Sequence, residues 1–483
     1  MGNKASKLLS FSSISLSNPS IEGHAAKSEV ELISIDGDTH KFDLKIKYEE
    51  PIQENHLPLL RMAFCMPLLN YGLFCEKFVL EFSLCESDFR ILSDLNEIFS
   101  RDIFVNKILR RRANYILPEY LPHEGSVRYQ DSSSQAVIKP ECVVPDLILA
   151  QDMDGQRCGV LSSGGKESLL SYALLDEIGS EVHPLYVNES GGHWRPALPA
   201  YRNHKRACPN TQRMWTNVDR FYNFMLDHLP FIRSDHRRIR ADTYPIRLCI
   251  FPFYVFGLMP IFVQKKIGNL LIGSELDDLR SPPVYHGIPH YFGVYDQHQD
   301  YDIRMNEWYS NRVLGLSQWS AVRNISGLIV ERILASRYPH LAKNQRSCHS
   351  CHFENEEIIP CGACSKCLGV LLFLMANKGN PKMMKYSDKH IASFQNRKDF
   401  SVLRIDQDEK DHSFFLLKGK KALPQGEYVD HIERIHIDNT IADIGLIPDR
   451  FRERLLEVLE SYTSGYCKLE KGNWMPIKKP TEL

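Results

Sequence analysis

The sequence has no uninterrupted apolar run of about 18 residues, the length at which a membrane-spanning helix becomes the natural reading. Its longest apolar segment, residues 248–263, contains Pro252 and Pro260 and is expected to be a buried element instead. The N-terminal region lacks the apolar core of a secretory signal. The thirteen cysteines are therefore expected in a reducing, cytoplasmic setting, as thiols or metal ligands rather than disulfides. An excess of charge of either sign is also missing. With 59 basic residues against 60 acidic ones the net charge is -1, so composition gives no support to a polyanion-binding protein. Two short basic runs, residues 107–112 (KILRRR) and 233–240 (RSDHRRIR), read as solvated faces or phosphate contacts, and nucleic acid is not the expected partner. No internal repeat is present. The G-x-x-x-x-G-K-[S/T] phosphate loop is absent too, which argues against kinase-like transfer of a γ-phosphoryl group.

What is present is an ordinary globular balance, 43% hydrophobic and 25% charged over 483 residues, enough chain for two or three packed units. Residues 1–28, rich in Ser, Asn and Lys, are expected to form a flexible tail. The tail opens Met1-Gly2-Asn3-Lys4-Ala5-Ser6, an N-acylation pattern that would give a weak membrane tether through Gly2. Residues 29–140 read as an α+β domain: a β-hairpin around Asp36 and Gly37, then helical spacing of Leu59, Leu60, Ala63, Leu92, Leu95 and Ile98. Over residues 141–345, strands near 158–162, 181–188 and 270–274 alternate with helical patterns. That alternation predicts an α/β, doubly wound parallel sheet with its ligand at the carboxyl ends of the strands. A cysteine-rich segment follows at 346–380, and a mixed α/β extension at 381–483 ends in a helix near 449–459.

Two stretches carry chemistry. Ser162-Ser163-Gly164-Gly165-Lys166-Glu167-Ser168 lies between the first of these strands and a helix, where backbone N–H groups and the helix dipole favour phosphate. The glycines permit close approach, the serine hydroxyls donate, and Lys166 adds a cation. Gly273 and Glu275 stand at the end of a later strand. Cys348, Cys351, Cys361, Cys364 and Cys367 place five thiols within twenty residues, and the repeated C-x-x-C spacing suits a tetrahedral zinc ion, with a 4Fe-4S cluster as the alternative. Spacing points to Cys361, Cys364 and Cys367 as ligands and leaves Cys348 and Cys351 as competitors for the fourth place. A four-thiolate site with no open position is structural.

The loop resembles the S-G-G-x-D-S signature of the PP-loop (N-type) ATP pyrophosphatases, with Glu167 in place of the usual Asp. The cysteine cluster and the stretches around residues 296–301, 319–326 and 346–348 are similar to those of MurL-type UDP-N-acetylmuramoyl-L-alanyl-L-glutamate epimerases. QueC-like 7-cyano-7-deazaguanine synthases are a second match. The resemblance implies an enzyme that uses ATP and Mg2+ to adenylate a carboxylate, releases pyrophosphate and AMP, and epimerises the adjacent carbon. It departs from the epimerase pattern at Asp296-Gln297-His298-Gln299-Asp300-Tyr301, which leaves the substrate open. His298 is the candidate proton-transfer base, with Asp296, Asp300 and Glu275 as others, and Arg323 the candidate anion ligand. Alternatives are a deazapurine- or nucleic-acid-modifying enzyme and a non-catalytic nucleotide-binding scaffold. Pyrophosphate release separates the scaffold from the enzymes.

Overall fold

The computed structural model describes residues 7–110, 114–189, 191, 194–239, 246–277, 280, 284–419 and 423–480. Gly2 and parts of both basic runs lie outside these described residues. The chain divides into two compact units. Unit 1 comprises Met1–Met153, Arg213–Lys266 and Pro282–Leu316, and unit 2 comprises Asp154–Gln212, Ile267–Ser281 and Ser317–Leu483. Among the described residues no helix is long and apolar enough to cross a membrane.

In unit 1 the hairpin expected around Asp36 and Gly37 forms between Ala25–Ser34 and Thr39–Tyr48. The strand Phe11–Leu16 pairs antiparallel with Ala25–Ser34 and parallel with Lys77–Leu80, which in turn pairs with Val137–Pro140. Within the stretch 1–28 expected to be a flexible tail, residues 11–16, 20–22 and 25–28 are instead paired strand. Phe11, Ile14 and Leu16 are fully buried, Ser12 Oγ donates to Ile33 O at 3.2 Å, and Ser28 Oγ on the neighbouring strand donates to Ser17 O at 2.7 Å. A serine-rich composition suggests solvation, but three apolar anchors are enough to order a six-residue strand between two neighbours.

Residues 213–266 and 282–316 also belong to unit 1, so 141–345 is not one compact body. The reason is the Phe251–Lys265 helix, whose residues are buried nearly all round and which packs on the Leu57–Cys65 helix, with Gly257 O accepting from the Tyr48 hydroxyl at 2.6 Å. In the same unit Arg312 Nη2 meets the Asp88 carboxylate at 3.0 Å, with Trp308 Nε1 donating to Asp88 at 2.9 Å.

Unit 2 holds the α/β core. Its four parallel strands run in the order Ser317–Trp319, Ile267–Ile272, Asp154–Ser162, Glu181–Asn188. All six residues of Ile267–Ile272 are buried, the continuous apolar signature of a parallel strand covered on both faces. In chain order Asp154–Ser162 comes first, and its two successors lie on opposite sides of it. The chain therefore reverses direction across the sheet between Asp154–Ser162 and Ile267–Ile272, the kind of switch point at which a crevice opens at the strands' carboxyl ends. Helices Lys166–Glu177, Gly327–Arg337, Ser365–Ala376 and Asp449–Glu460 share one hydrophobic core, to which Leu170, Leu174, Ile329, Ile333, Leu371, Leu374 and Leu455 contribute.

Candidate functional site

Both strands that flank the switch point end in predicted site residues. Asp154–Ser162 runs directly into the 162–168 loop, and Ile267–Ile272 into Gly273 and Glu275. Within the loop Ser162 is buried and its hydroxyl donates to Val160 O at 3.1 Å, so it secures the strand end. Ser163 is exposed and its Oγ accepts from Gly165 N at 3.3 Å. Gly164 has φ +76, a conformation costly for any other residue, and a β-carbon there would lie 3.2 Å from the Ala197 Cα. Gly165 is the N-cap of Lys166–Glu177 with no side-chain cap, and Ser168 Oγ donates to Gly165 O at 3.2 Å. This leaves a short, tightly turned loop at a helix start that carries no capping side chain of its own.

Gly273 serves a packing purpose. A β-carbon there would come within 2.9 Å of the Glu167 carbonyl carbon and 3.0 Å of Ser168 N, so the bare strand end lets the first helical turn settle against it.

Lys166 does not extend toward solvent. Its side chain is buried, with Nζ 2.5 Å from Glu167 Oε1 and 2.8 Å from the Glu275 carboxylate, and 5.7 Å from the centroid of the Phe373 ring. Burial alone would lower the lysine pKa, but the two carboxylates outweigh it and hold the ammonium charged, well above the ordinary range. Glu167 is driven the other way: burial raises it, and Lys166 more than compensates, so it stays ionised.

Around this pair the fold gathers more acid than cation. Burial, reinforced by Glu167 and Glu409, raises Glu275 to about 8 despite Lys166. Burial also raises Glu331 and Glu409 to about 7. Glu331 lies on Gly327–Arg337, where its Oε2 accepts from Gln345 Nε2 at 3.0 Å while its Oε1 has no hydrogen-bond partner. Glu409 Oε1 accepts from Leu328 N at 2.8 Å, in the first turn of the same helix. The Glu275 carboxylate rests against Gly327, where a β-carbon would meet its Oε2 at 2.7 Å. Glu331 and Glu409 were missed from the sequence. Glu331 had left a faint signal, a carboxylate spaced three residues from both Leu328 and Leu334 on a buried helical stripe, whereas Glu409 sits in the polar run QDEKDHSFFL.

Arg323 is buried in the turn between Ser317–Trp319 and Gly327–Arg337. His298 belongs to unit 1, where it is the N-cap of Gln299–Arg312. Its Nδ1 accepts from Asp300 N at 3.2 Å, which places the proton of the neutral ring on Nε2. Asp296 likewise works at a helix start, its Oδ2 accepting from Ile250 N at 2.9 Å and Phe251 N at 3.1 Å. Burial raises its pKa to about 6. Asp300 accepts from the Tyr291 hydroxyl at 2.6 Å.

Four of the five predicted thiols converge. The sulfurs of Cys348, Cys361, Cys364 and Cys367 all lie within 4.8 Å of one another, and Cys351 is not among them. Cys361 Sγ and Cys367 Sγ are 3.9 Å apart. A disulfide needs about 2.05 Å, whereas a tetrahedron of about 2.3 Å metal–sulfur bonds has edges of roughly 3.8 Å. All thirteen cysteines are free thiols, and this group has the spacing of ligands to a single metal ion such as zinc. Backbone N–H groups of Ser350 and Cys361 point at Cys348 Sγ, each at 3.3 Å, and Cys364 Sγ caps Ser365–Ala376 by accepting from Cys367 N at 3.5 Å.

Comparison with protein-family models, with curated proteins and with solved structures found no match for this chain.

Proposed function

We propose that the chain is an ATP-using enzyme of the PP-loop type, which adenylates a substrate carboxylate with loss of pyrophosphate and acts as a MurL-like epimerase of an amino-acid or peptide acid. The observation that carries this reading is the glycine-rich loop at the switch point with a buried Lys166–Glu275 pair directly behind it. The loop's backbone N–H groups and the helix start would receive the phosphates. The lysine charge would oppose the charge that builds on the leaving pyrophosphate as a carboxylate oxygen bonds to the α-phosphorus and the bond from that phosphorus to the bridging oxygen breaks. Magnesium accompanying the nucleotide would neutralise the departing pyrophosphate, and Glu167, held ionised, is the hard oxygen donor present at the loop.

An adenylated carboxylate has lost its negative charge, so its α-hydrogen is far more acidic; removing it calls for a base that titrates near neutrality, a proton returned to the opposite face inverts the carbon, and water then cleaves the acyl-adenylate to the acid and AMP. Unit 2 supplies one at the loop in Glu275, at about 8, whereas His298 serves a helix start in unit 1. Glu275 therefore takes precedence over His298 as the proton-transfer group. The cysteine cluster is read as a structural zinc site, because single-ion spacing fits zinc better than a four-iron cube, which spreads its thiolates over four separate irons.

The test is incubation of the protein with ATP, magnesium and candidate amino-acid or peptide acids in deuterated water. AMP, pyrophosphate and a deuterium at the product's α-carbon are expected. AMP without deuterium would replace epimerisation by amide or nitrile formation, and no pyrophosphate with any acid would leave a nucleotide-binding scaffold.

A further inference from the structure

The cysteine cluster and the phosphate loop are consecutive parts of one construction. Arg346 N donates to Gly164 O at 3.4 Å, and Ser347 Oγ lies 3.9 Å from the position a β-carbon of Gly165 would take. The next residue is Cys348, and Ser347 O accepts from Cys367 Sγ at 3.8 Å. Arg346 is buried and its Nε and Nη1 donate to three carbonyls, Ile358 O at 2.7 Å, Lys343 O at 2.9 Å and Gln345 O at 2.7 Å, which fixes the course of this segment. On the far side of the cluster, Cys364 caps the Ser365–Ala376 helix, whose Phe373 places its ring beside Lys166 Nζ. The four thiols thus join a segment that bonds the loop at Gly164 and runs past Gly165 to a helix whose Phe373 ring lies beside Lys166. Cys348 stands on one side of that junction and Cys361, Cys364 and Cys367 on the other, and no disulfide links them.

We infer that the metal-bearing segment is the outer wall of the phosphate site, with Arg346 and Ser347 as positioning residues, so that nucleotide binding depends on occupancy of the Cys348, Cys361, Cys364 and Cys367 site. This rests on the reading of the loop as a nucleotide site. A metal ion bound by all four thiolates ties the two flanks together. Without it, only backbone contacts and packing oppose their separation, and the loop loses the support that reaches it at Gly164.

The experiment compares binding of ATP with magnesium, by calorimetry, to the zinc-loaded chain, to the chain stripped by a chelator and to the stripped chain resupplied with zinc. Circular dichroism reports folding and elemental analysis reports metal. Stripping is expected to weaken binding on the order of ten-fold or more, as for other supports of a metal centre, and zinc should restore it. Equal affinity of a folded, metal-free chain would overturn the inference. If the stripped chain unfolds, Ser347→Ala and Phe373→Leu decide, since neither removes a thiol. Weaker nucleotide binding with zinc retained supports the coupling, and unchanged binding overturns it. Failure of the zinc-loaded, unsubstituted chain to bind ATP would instead remove the nucleotide reading and the inference together, a result distinct from nucleotide binding that ignores the metal.

Discussion

Lys166 Nζ and the Glu275 carboxylate, 2.8 Å apart and drawn from the ends of two adjacent parallel strands, form the charged centre of unit 2. A lysine in a phosphate loop is expected to face its ligand and to be dispensable for folding. Here it also neutralises the buried, ionised Glu167 and lies against Glu275.

Lys166→Ala should therefore destabilise as well as inactivate. Removing one partner of a buried ion pair costs about 3–5 kcal/mol when the other must stay charged. That corresponds to a midpoint lowered by roughly 6–20 °C for a unit of this size. Protonation relieves a carboxylate left alone, so the loss should be larger at pH 8 than at pH 5.5. Thermal melts of the two proteins at both pH values check this, and a uniform loss at both would contradict it.

The acid cluster also sets a pH dependence on the intact protein. Glu331, at about 7 when folded, exceeds its unfolded value of about 4.3. The folded state therefore keeps a proton that the unfolded state has released. The resulting stability is fully present below the unfolded value and is lost as pH rises through about 7. Glu409 and Glu275 act in the same direction, with the window extending to about 8. Glu331→Gln keeps the shape without the titration, so its stability should fall less steeply between pH 5 and 7, by up to about 1.4 kcal/mol per pH unit. Denaturant titrations across that range measure the slope directly.

Much of this unit was legible in the sequence because its signals are local. The Glu181–Asn188 strand has the expected bounds, the helix expected after the loop is Lys166–Glu177, and the cysteine spacing named all four converging thiols, although the choice of Cys348 over Cys351 needed three dimensions. The inward turn of Lys166 was not legible. Its partner Glu275 comes from the end of a later strand, and Glu331 and Glu409, which feel its charge, come from two distant helices; no periodicity shows that these acids gather near one ammonium. The N-terminal strand failed for a different reason, since polar composition hid three buried anchors in Phe11, Ile14 and Leu16.

The thiols divide cleanly in the structure, and so should their variants. Serine at Cys348, Cys361, Cys364 or Cys367 removes a ligand and should lower the metal content well below one ion per chain, with marked destabilisation, because metal binding at such a site contributes directly to folding. Cys351→Ser should retain the ion. Elemental analysis of the five proteins purified alike tests the division, and metal loss from Cys351→Ser alone would reverse it. Iron with acid-labile sulfide in anaerobically prepared protein would replace zinc by a cluster.

Gly273→Ala probes the joint between strand and loop. A β-carbon at this position meets the Glu167 carbonyl carbon and Cβ at 2.9 Å and Ser168 N at 3.0 Å, and most of these atoms are backbone, so no rotamer change can make room. Either the strand end or the first helical turn must shift, at a cost of about 1–3 kcal/mol for an overpacked contact. The first turn is the more exposed of the two, whereas all six residues of Ile267–Ile272 are buried, so the helix start is expected to move. Lys166 and Glu167 move with it, which lengthens the contact between Lys166 and Glu275 and tilts the loop's N–H groups. The variant should fold with a modestly lowered midpoint and bind ATP with magnesium markedly more weakly. Gly179→Ala makes the control: it lies just beyond the other end of the same helix, where a β-carbon meets nothing within 4 Å. Its φ of +86 costs stability through backbone strain without disturbing the loop. Calorimetric affinities and melts of both variants should therefore separate. Equal nucleotide affinity in the two, despite similar destabilisation, would show that the loop does not depend on the bare strand end at Gly273.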